Sequence, residues 1–290
     1  MYNTRYIMKL AVGYVVFDGL ETLEASIRSI RECVDIVIVS YQTISWGGTQ
    51  CSPLLLPTLE RLKESGLIDV IMEFTKFVPS SLTKPDDVIR AKTYECDKRQ
   101  SCLDKALELG ATHYTSMDAD EFYIKEQFEE AKRQIIQDKL QATAVRYINY
   151  LTPTLHQGYS RFKVPFIYEI GSKSRHHSVQ FMFSDVDPTR GITDDSYTRS
   201  RVFERDLITM HHMEMVREDL LGKYQASRRY FRKREDLPTL AEDIAHAKKT
   251  GELRFRAIHF GDSLSGLNKE LVLTECEDLF DLYSYSYGTR

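Results

Sequence analysis

The sequence lacks the features that mark disulfide-rich, zinc-binding and membrane-spanning proteins. Its five cysteines are odd in number and form no C-x-x-C pair, so we expect reduced thiols in a cytoplasmic protein. No apolar run approaches the roughly 18 residues that a membrane span needs. The N-terminus leads into a strand pattern rather than a signal peptide. No low-complexity tract or internal repeat interrupts the chain.

The sequence also lacks an excess of positive charge. Its formal net charge is -4 at pH 7, which argues against a chain coated in nucleic acid but leaves room for a local basic patch. With 42% hydrophobic and 28% charged residues, the 290-residue chain has the composition of a globular protein with a sizeable core. That length fits one large domain or two small ones.

Short apolar runs alternate with helical patterns through the first 120 residues. We predict strands over 10–16, 35–40, 70–74 and 112–117, and helices over 20–31, 56–65 and 90–109. This order predicts an α/β fold with a mainly parallel sheet flanked by helices. Ligands of such sheets bind beyond the carboxyl ends of the strands.

Three acids follow the last of these strands, which we expect to end at Met117. Asp118 and Asp120 are two positions apart, so in extended backbone they point the same way, and Glu121 comes next. Two carboxylates held close repel each other unless a cation or a proton lies between them. Carboxylate oxygens suit Mg²⁺ or Mn²⁺, although a solvated acidic turn is the alternative interpretation. The predicted position at a ligand-binding edge favours the metal.

Several segments in this order resemble the core of GT-A glycosyltransferases, family 2 in particular. They are DKRQSCLDKA at 97–106, GATHY at 110–114 and DADEF at 118–122, with further likeness at 19–24 and 34–39. The resemblance covers residues 8–125. It implies a GT-A (Rossmann-like) domain that binds a nucleotide-sugar, which we place at 1–215, with a helical C-terminal extension at 216–290.

The resemblance implies a metal-dependent glycosyltransferase that moves a sugar from a nucleotide-sugar donor, with a UDP-sugar expected, to an acceptor hydroxyl. Asp118 and Asp120 would hold Mn²⁺ or Mg²⁺ against the donor diphosphate, and a late histidine would complete the site. His212 fits that role better than His211, while His176, His177 and His259 have weaker context.

Further donor contacts follow from the same resemblance. Arg99 could touch the diphosphate or the donor sugar, and Asp18 and Lys223 are further donor-site candidates. The second strand lacks the acid that family members commonly use for the nucleobase, so Tyr41 or Gln42 would take its place.

The general base stays open at the level of sequence. An inverting transfer needs a carboxylate within reach of the acceptor hydroxyl, and a retaining reaction is not excluded. Asp120 and Glu121 are candidates for catalytic roles in the acidic stretch. The carboxylates considered for the base itself are Glu169, Asp194, Asp195 and Glu214.

A basic cluster at 223–234 is the last feature of note. It is either a solvated helix face or a surface for a polyanion, so the acceptor is a glycan or a modified DNA base. Two other function classes stay open: a metal-dependent nucleotidyltransferase, and a non-catalytic carbohydrate-binding protein. The missing Gly-rich phosphate loop at 10–30 counts against the first, and the intact Asp-x-Asp against the second.

Overall fold

The structure is a computed structural model. It describes residues 8–46, 48–76, 85–176, 182–186, 189–217, 242, 245–246, 248–250, 274–277 and 279–280. Within those residues no helix is both long enough and apolar enough to cross a bilayer.

Four strand–helix repeats open the described chain. They comprise β1 (Leu10–Val16), α1 (Leu20–Ile30), β2 (Ile36–Tyr41), α2 (Leu55–Glu64), β3 (Val70–Glu73), α3 (Pro85–Glu108), β4 (His113–Asp118), β5 (Glu121–Phe122) and α4 (Lys125–Asp138). A mostly β segment follows, with β6 (Ala142–Thr152), β7 (Leu155–Glu169), β8 (Arg175–His176), β9 (Ile192–Thr193), β10 (Ser200–Val202), β11 (Thr209–His212) and β12 (Thr274–Glu275).

One large mixed sheet organises these elements. Its order is β3-β2-β1-β4-β7-β6-β11-β5, with β10 added beside β6 and β12 beside β7. The strands β1 to β4 run parallel to one another, whereas β7 is antiparallel to both β4 and β6. The predicted α/β class, a sheet flanked by helices, is therefore confirmed, and the antiparallel strands come from the second half of the chain.

Helices cover the parallel half of the sheet on both faces. Apolar side chains of α1, α2 and α4 pack in one buried cluster, and those of α3 pack in a second cluster on the other face. Gly13 in β1 is required by this packing, because a Cβ atom there would lie 2.0 Å from Oη of Tyr114 and 2.7 Å from Cβ of Cys102. Strands buried on both faces explain why the sequence shows continuous apolar runs rather than alternation.

Some predicted boundaries need correction. Helix α3 begins at Pro85 rather than at the predicted position 90, and proline is well suited to the first position of a helix. Strand β4 extends to Asp118 rather than ending at Met117. The predicted extension at 216–290 lies largely outside the described residues. Its described part includes helical residues 248–250 and the strand Thr274–Glu275, and the domain boundary at 215 stays a prediction.

Candidate functional site

The carboxyl ends of β1, β2 and β4 meet at one edge of the sheet, which we call the carboxyl edge. Val15 pairs with Asp118, and Val16 pairs with Tyr41, so the three strands end level with one another. Asp118, Asp120 and Glu121, the acidic turn, therefore lie at the edge where parallel sheets bind ligands. Asp18 follows β1 at the same edge.

Strand pairing brings a histidine to the acidic turn. Strand β11 lies between β5 and β6, so that His212 is opposite Glu121 on one side and Asn149 on the other. Because side chains alternate along a strand, His211 points to the opposite face. There its Nδ1 lies 2.8 Å from Oη of Tyr150, and burial lowers its pKa to about 4. The structure thus places His212, rather than His211, in the acidic turn's surroundings.

Two guanidinium groups hold the carboxylate of Asp118. Arg99 from α3 donates to Oδ1 at 2.9 Å and to Oγ of Ser116 at 2.8 Å, and Arg190 pairs with Oδ2. Both arginines are at least 95% buried. Burial alone would raise the pKa of Asp118, but Arg190 and Arg99 outweigh it and hold that pKa well below its usual range. Asp118 is therefore a carboxylate anion in this arrangement.

Glu121 turns back under Asp118 rather than out toward a substrate. Its Oε2 accepts a hydrogen bond from the backbone N–H of Asp118 at 3.1 Å, and its Oε1 lies 2.5 Å from Nη1 of Arg190. The side chain is only 2% exposed, and burial raises the pKa of Glu121 despite the opposing charge of Arg190. These contacts give Glu121 a role in shaping the turn and holding Arg190.

Asp120 is held by a third arginine. Arg217 donates to Oδ2 of Asp120 at 2.7 Å, and its Nη1 lies 2.7 Å from Oδ1 of Asp18. Arg217 and Asp120 are almost fully buried. Burial disfavours the charged guanidinium, but Asp120 and Asp18 outweigh it, so the pKa of Arg217 is raised and the group stays a cation. Arg217 thus links the ends of β1 and β4.

His212 faces the other oxygen of Asp120. Its Nδ1 lies 2.9 Å from Oδ1 of Asn149, an amide acceptor, so Nδ1 carries a hydrogen and donates it. Nε2 then faces Oδ1 of Asp120 across 3.6 Å. Burial would lower the pKa of His212, but Asp120, Glu214 and Glu121 outweigh it and raise that pKa. A neutral imidazole and a carboxylate both present lone pairs here, so a proton or a metal cation belongs between them.

Asp120 and His212 fit a divalent cation. Two ligands of one ion, each about 2.0–2.2 Å from it, lie roughly 3–4 Å apart, and the 3.6 Å separation falls in that range. A histidine ligand commonly donates its other ring N–H to an oxygen, as His212 does to Asn149. Asp118 is turned toward arginines instead, and among the described residues no group of three His, Cys, Asp or Glu is arranged to hold a metal. A cation here would have two protein ligands, with other positions left for water and phosphate oxygens.

The predicted nucleobase contacts lie at the same edge but not at the acids. Gln42 is buried, and its Oε1 accepts a hydrogen bond from Nζ of Lys98 at 3.1 Å while its Nε2 donates to the backbone oxygen of Ile44. Lys98 also donates to the backbone oxygen of Val16, and burial lowers its pKa to about 7. Tyr41 is buried at the end of β2. Gln42 thus forms part of the packed floor between β1 and β2.

Two predicted catalytic acids are not brought to the site. Glu169 pairs with His113 at the start of β4, five residues and about 16 Å along the strand from Asp118. Asp195 is exposed in a turn beside it, since Tyr197 of the same turn donates to the backbone oxygen of Glu169. Among the four carboxylates considered for the general base, Glu214 is the one in the cluster, with Oε2 at 3.9 Å from Nδ1 of His212.

Several predicted residues lie outside the described residues. They are Lys223, the basic cluster at 223–234, His177 and His259. His176 is described, and it is buried against Tyr114 and α3 rather than at the carboxyl edge.

Arg190 and Arg217 are site residues that sequence reasoning missed. Arg190 belongs to a polar stretch between β8 and β9, and Arg217 follows β11. A buried acidic cluster requires compensating cations, so the acids themselves were a signal that arginines should be sought. The pairings span 72 and 97 positions, which no local pattern reveals.

Comparisons with known proteins give likenesses at low identity. No family model matches the chain, and no curated protein matches it. Among solved structures, S. aureus TarS 1–349 matches over 84% of this chain and 74% of that chain, at 9% identity and a TM-score of 0.43. S. aureus TarS matches over 83% of this chain and 44% of that chain, at 10% identity and a TM-score of 0.42. TarS 1–349 in complex with UDP matches over 49% of this chain and only 36% of that chain, at 12% identity and a TM-score of 0.35.

Proposed function

We propose that the protein is a metal-dependent glycosyltransferase, which binds a nucleotide-sugar at the carboxyl edge and transfers the sugar to an acceptor hydroxyl. The observation that supports this most directly is the pair of Asp120 and His212, with Nε2 and Oδ1 held 3.6 Å apart and the tautomer fixed by Asn149. The sequence resemblance to GT-A enzymes covers the same strand and acidic turn.

Asp120 and His212 would hold Mn²⁺ or Mg²⁺ in this proposal. When bound, the divalent cation would neutralise the charge that develops on the leaving nucleoside diphosphate. Arg217 keeps Asp120 in place through its pairing with Oδ2, which leaves Oδ1 directed at His212. Asn149 keeps Nε2 of His212 directed at Asp120.

The remaining groups at the edge fix the geometry of the floor. Arg99 ties α3 to Asp118 and Ser116, so the helix and the end of β4 cannot separate without breaking buried charge contacts. Lys98 ties α3 to the ends of β1 and β2 through Val16 and Gln42. Groups locked in this way hold a donor site without reorganisation during the reaction.

Glu214 is the general base that this proposal names for an inverting transfer. It is the considered carboxylate that lies beside His212, whereas Glu169 lies about 16 Å along the sheet and Asp195 lies in an exposed turn near Glu169. The acceptor is proposed only as a hydroxyl-bearing molecule, because the basic cluster considered for DNA lies outside the described residues.

A thermal-shift panel of nucleoside diphosphates, with UDP first, tests the proposal with and without Mn²⁺. A nucleotide at 100 times its Kd stabilises by about 2.7 kcal/mol, which is a rise of roughly 4–5 °C in Tm for a chain of this size. We expect that rise for one nucleotide and only with Mn²⁺. The Asp120→Asn and His212→Ala variants should lose it, while Asp206→Asn, an exposed control, should keep it. If no nucleotide shifts the wild type in the presence of Mn²⁺, the proposal is wrong.

A further inference from the structure

Among the described strands, β5 is the last of the sheet and pairs with β11 alone. The backbone N–H of Met213, directly after β11, donates to the carbonyl oxygen of Asp120 at 2.7 Å. Because such bonds alternate along an antiparallel pair, the carbonyl of Glu121 and the N–H of Tyr123 point away from β11. Both residues are buried, so these two backbone groups need partners from another element.

Two serines of α1 supply those partners. Ser26 donates from Oγ to the carbonyl oxygen of Glu121 at 2.5 Å, and the N–H of Tyr123 makes a longer contact of 3.5 Å with Oγ of Ser29. Residues three positions apart share one face of a helix, so both hydroxyls reach the same strand edge. Helix α1 therefore supports β5 on the side where a further strand would otherwise pair.

The shorter of these contacts is backed by strand β1. Oη of Tyr14 lies 3.1 Å from Oγ of Ser26. The single hydroxyl hydrogen of Ser26 goes to Glu121, so Tyr14 is the donor in this second bond. Burial raises the pKa of Tyr14, which therefore keeps the proton that it donates. In such a chain each hydroxyl polarises the next, which strengthens both bonds.

Ser26 occupies a position where the pattern of α1 calls for an apolar residue. It is fully buried, as are Leu23, Ile27 and Ile30 of the same helix. A buried hydroxyl costs free energy unless it has a partner, and a serine inside a helix commonly bonds to a carbonyl of its own helix. Ser26 instead donates to a residue 95 positions away. This contact gives the acidic turn a polar support within an otherwise apolar helix face.

The support acts on the backbone that carries Asp120. The carbonyl of Asp120 is held by Met213 and the next carbonyl by Ser26, so two successive peptide groups are fixed from opposite sides. From this backbone the Asp120 carboxylate reaches His212 and Arg217. We propose that Ser26, backed by Tyr14, is a positioning residue of the donor site, which sets the direction of the Asp120 carboxylate through the backbone of the acidic turn. The inference rests on the proposed function.

Calorimetry on four variants at saturating Mn²⁺ tests this role, with UDP or the nucleoside diphosphate that shifts the wild type in the panel. Ser26→Ala should weaken the Kd for the nucleotide about tenfold, because the carbonyl of Glu121 loses its partner. Tyr14→Phe leaves Ser26 in place and should weaken it by about two- to threefold. Ile27→Val, a buried neighbour on α1, should lower the stability of the fold and leave the Kd unchanged.

The fourth variant separates positioning from general stability. Ser26→Thr keeps the hydroxyl but adds a methyl group to a packed site, so it should lower the Tm of the free protein and keep the wild-type Kd. An unchanged Kd in folded Ser26→Ala, or an equal loss of affinity in Ile27→Val, overturns the positioning role while the proposed function stands. If Ser26→Ala does not fold, Tyr14→Phe decides in the same way. A wild type that binds no nucleotide overturns the proposed function and, with it, the role of Ser26.

Discussion

The Gly19→Ala substitution probes the site through the backbone, without replacing a charged residue. Gly19 caps the start of α1 with φ at 78° and ψ at 30°, a left-handed conformation that costs a residue with a side chain about 1–2 kcal/mol. A Cβ atom there would also lie 2.9 Å from Nη2 of Arg217, which is too close. The nitrogen that must move is the one that donates to Asp120 at 2.7 Å.

The expected cost has two parts that a control separates. Moving Nη2 weakens a buried hydrogen bond between charged groups, worth about 1.5–3 kcal/mol. Gly66 has φ at 76°, and a Cβ atom there would meet no heavy atom within 4 Å, so Gly66→Ala carries the backbone strain alone. We therefore expect Gly66→Ala to lower the free energy of unfolding by about 1–2 kcal/mol, and Gly19→Ala by about 1.5–3 kcal/mol more.

Urea denaturation monitored by circular dichroism measures both values, provided that the slope with urea is the same in all three proteins. In the thermal-shift panel, Gly19→Ala should also reduce the Mn²⁺-dependent shift by nucleotide, and Gly66→Ala should not. Equal destabilisation by the two substitutions would show that Arg217 moves aside without loss. The claim that the backbone at Gly19 fixes the position of Arg217 against Asp120 would then be refuted.

Four further predictions concern the charges around the site. Asn149→Ala frees the ring of His212, so Mn²⁺ affinity measured by calorimetry should fall about 10- to 100-fold. Because the pKa of His212 is raised, the stability that its protonation contributes is present below about pH 6.5 and is lost as pH rises through the higher folded-state pKa. The His212→Ala substitution should abolish that pH dependence of stability. Asp118→Asn should lower the free energy of unfolding by about 1.5–3 kcal/mol, because Arg190 keeps Glu121 and Arg99 keeps Glu95 as partners. Asp97→Asn, which breaks an exposed ion pair, should cost about 1 kcal/mol or less. Burial lowers the pKa of Lys98 to about 7, so between pH 7 and about 10.4 the unfolded chain binds a proton that the folded chain does not. The free energy of unfolding of the wild type should therefore rise with pH in that window relative to that of Lys98→Met. Parallel pH profiles of the two proteins would contradict this.

The parallel half of the fold could be predicted because its signals are local. The strand predicted over 10–16 is observed as Leu10–Val16, since a strand buried on both faces reads as one apolar run. The start of α3 was missed although Asp86 and Asp87 in its first turn are the acids that favour a helix N-terminus. The strand β7 begins at Leu155, because its first residues are extended through pairing with β6 and β12.

The acids of the site and Arg99 could be predicted, whereas Arg190 and Arg217 could not. Asp118 and Asp120 stand at a recognisable strand end, so the sheet topology places them. His212 could be chosen over His211 from its spacing to Val216 and Arg217, which follow it in the sequence. The observed alternation along β11 puts His212 beside Asp120. The partners of the acids are set by tertiary contacts alone: Arg190 comes from a segment docked on α3.

The balance of buried charge explains why this edge suits a cation even though it already contains arginines. Among the described residues, three guanidinium groups and one imidazole lie around the acidic turn beside a larger number of buried or half-buried carboxylates, which are Asp18, Glu95, Asp118, Asp120, Glu121 and Glu214. Buried charges cost free energy unless they are compensated, and pairs of this kind stabilise a fold less than apolar packing of the same volume. An excess of carboxylates over positive groups at this edge therefore contributes little to the stability of the fold. The same excess would attract a divalent cation, and the pKa of Glu121 is raised by burial while that of His212 is raised by Asp120, so both protonated forms are favoured relative to the free side chains.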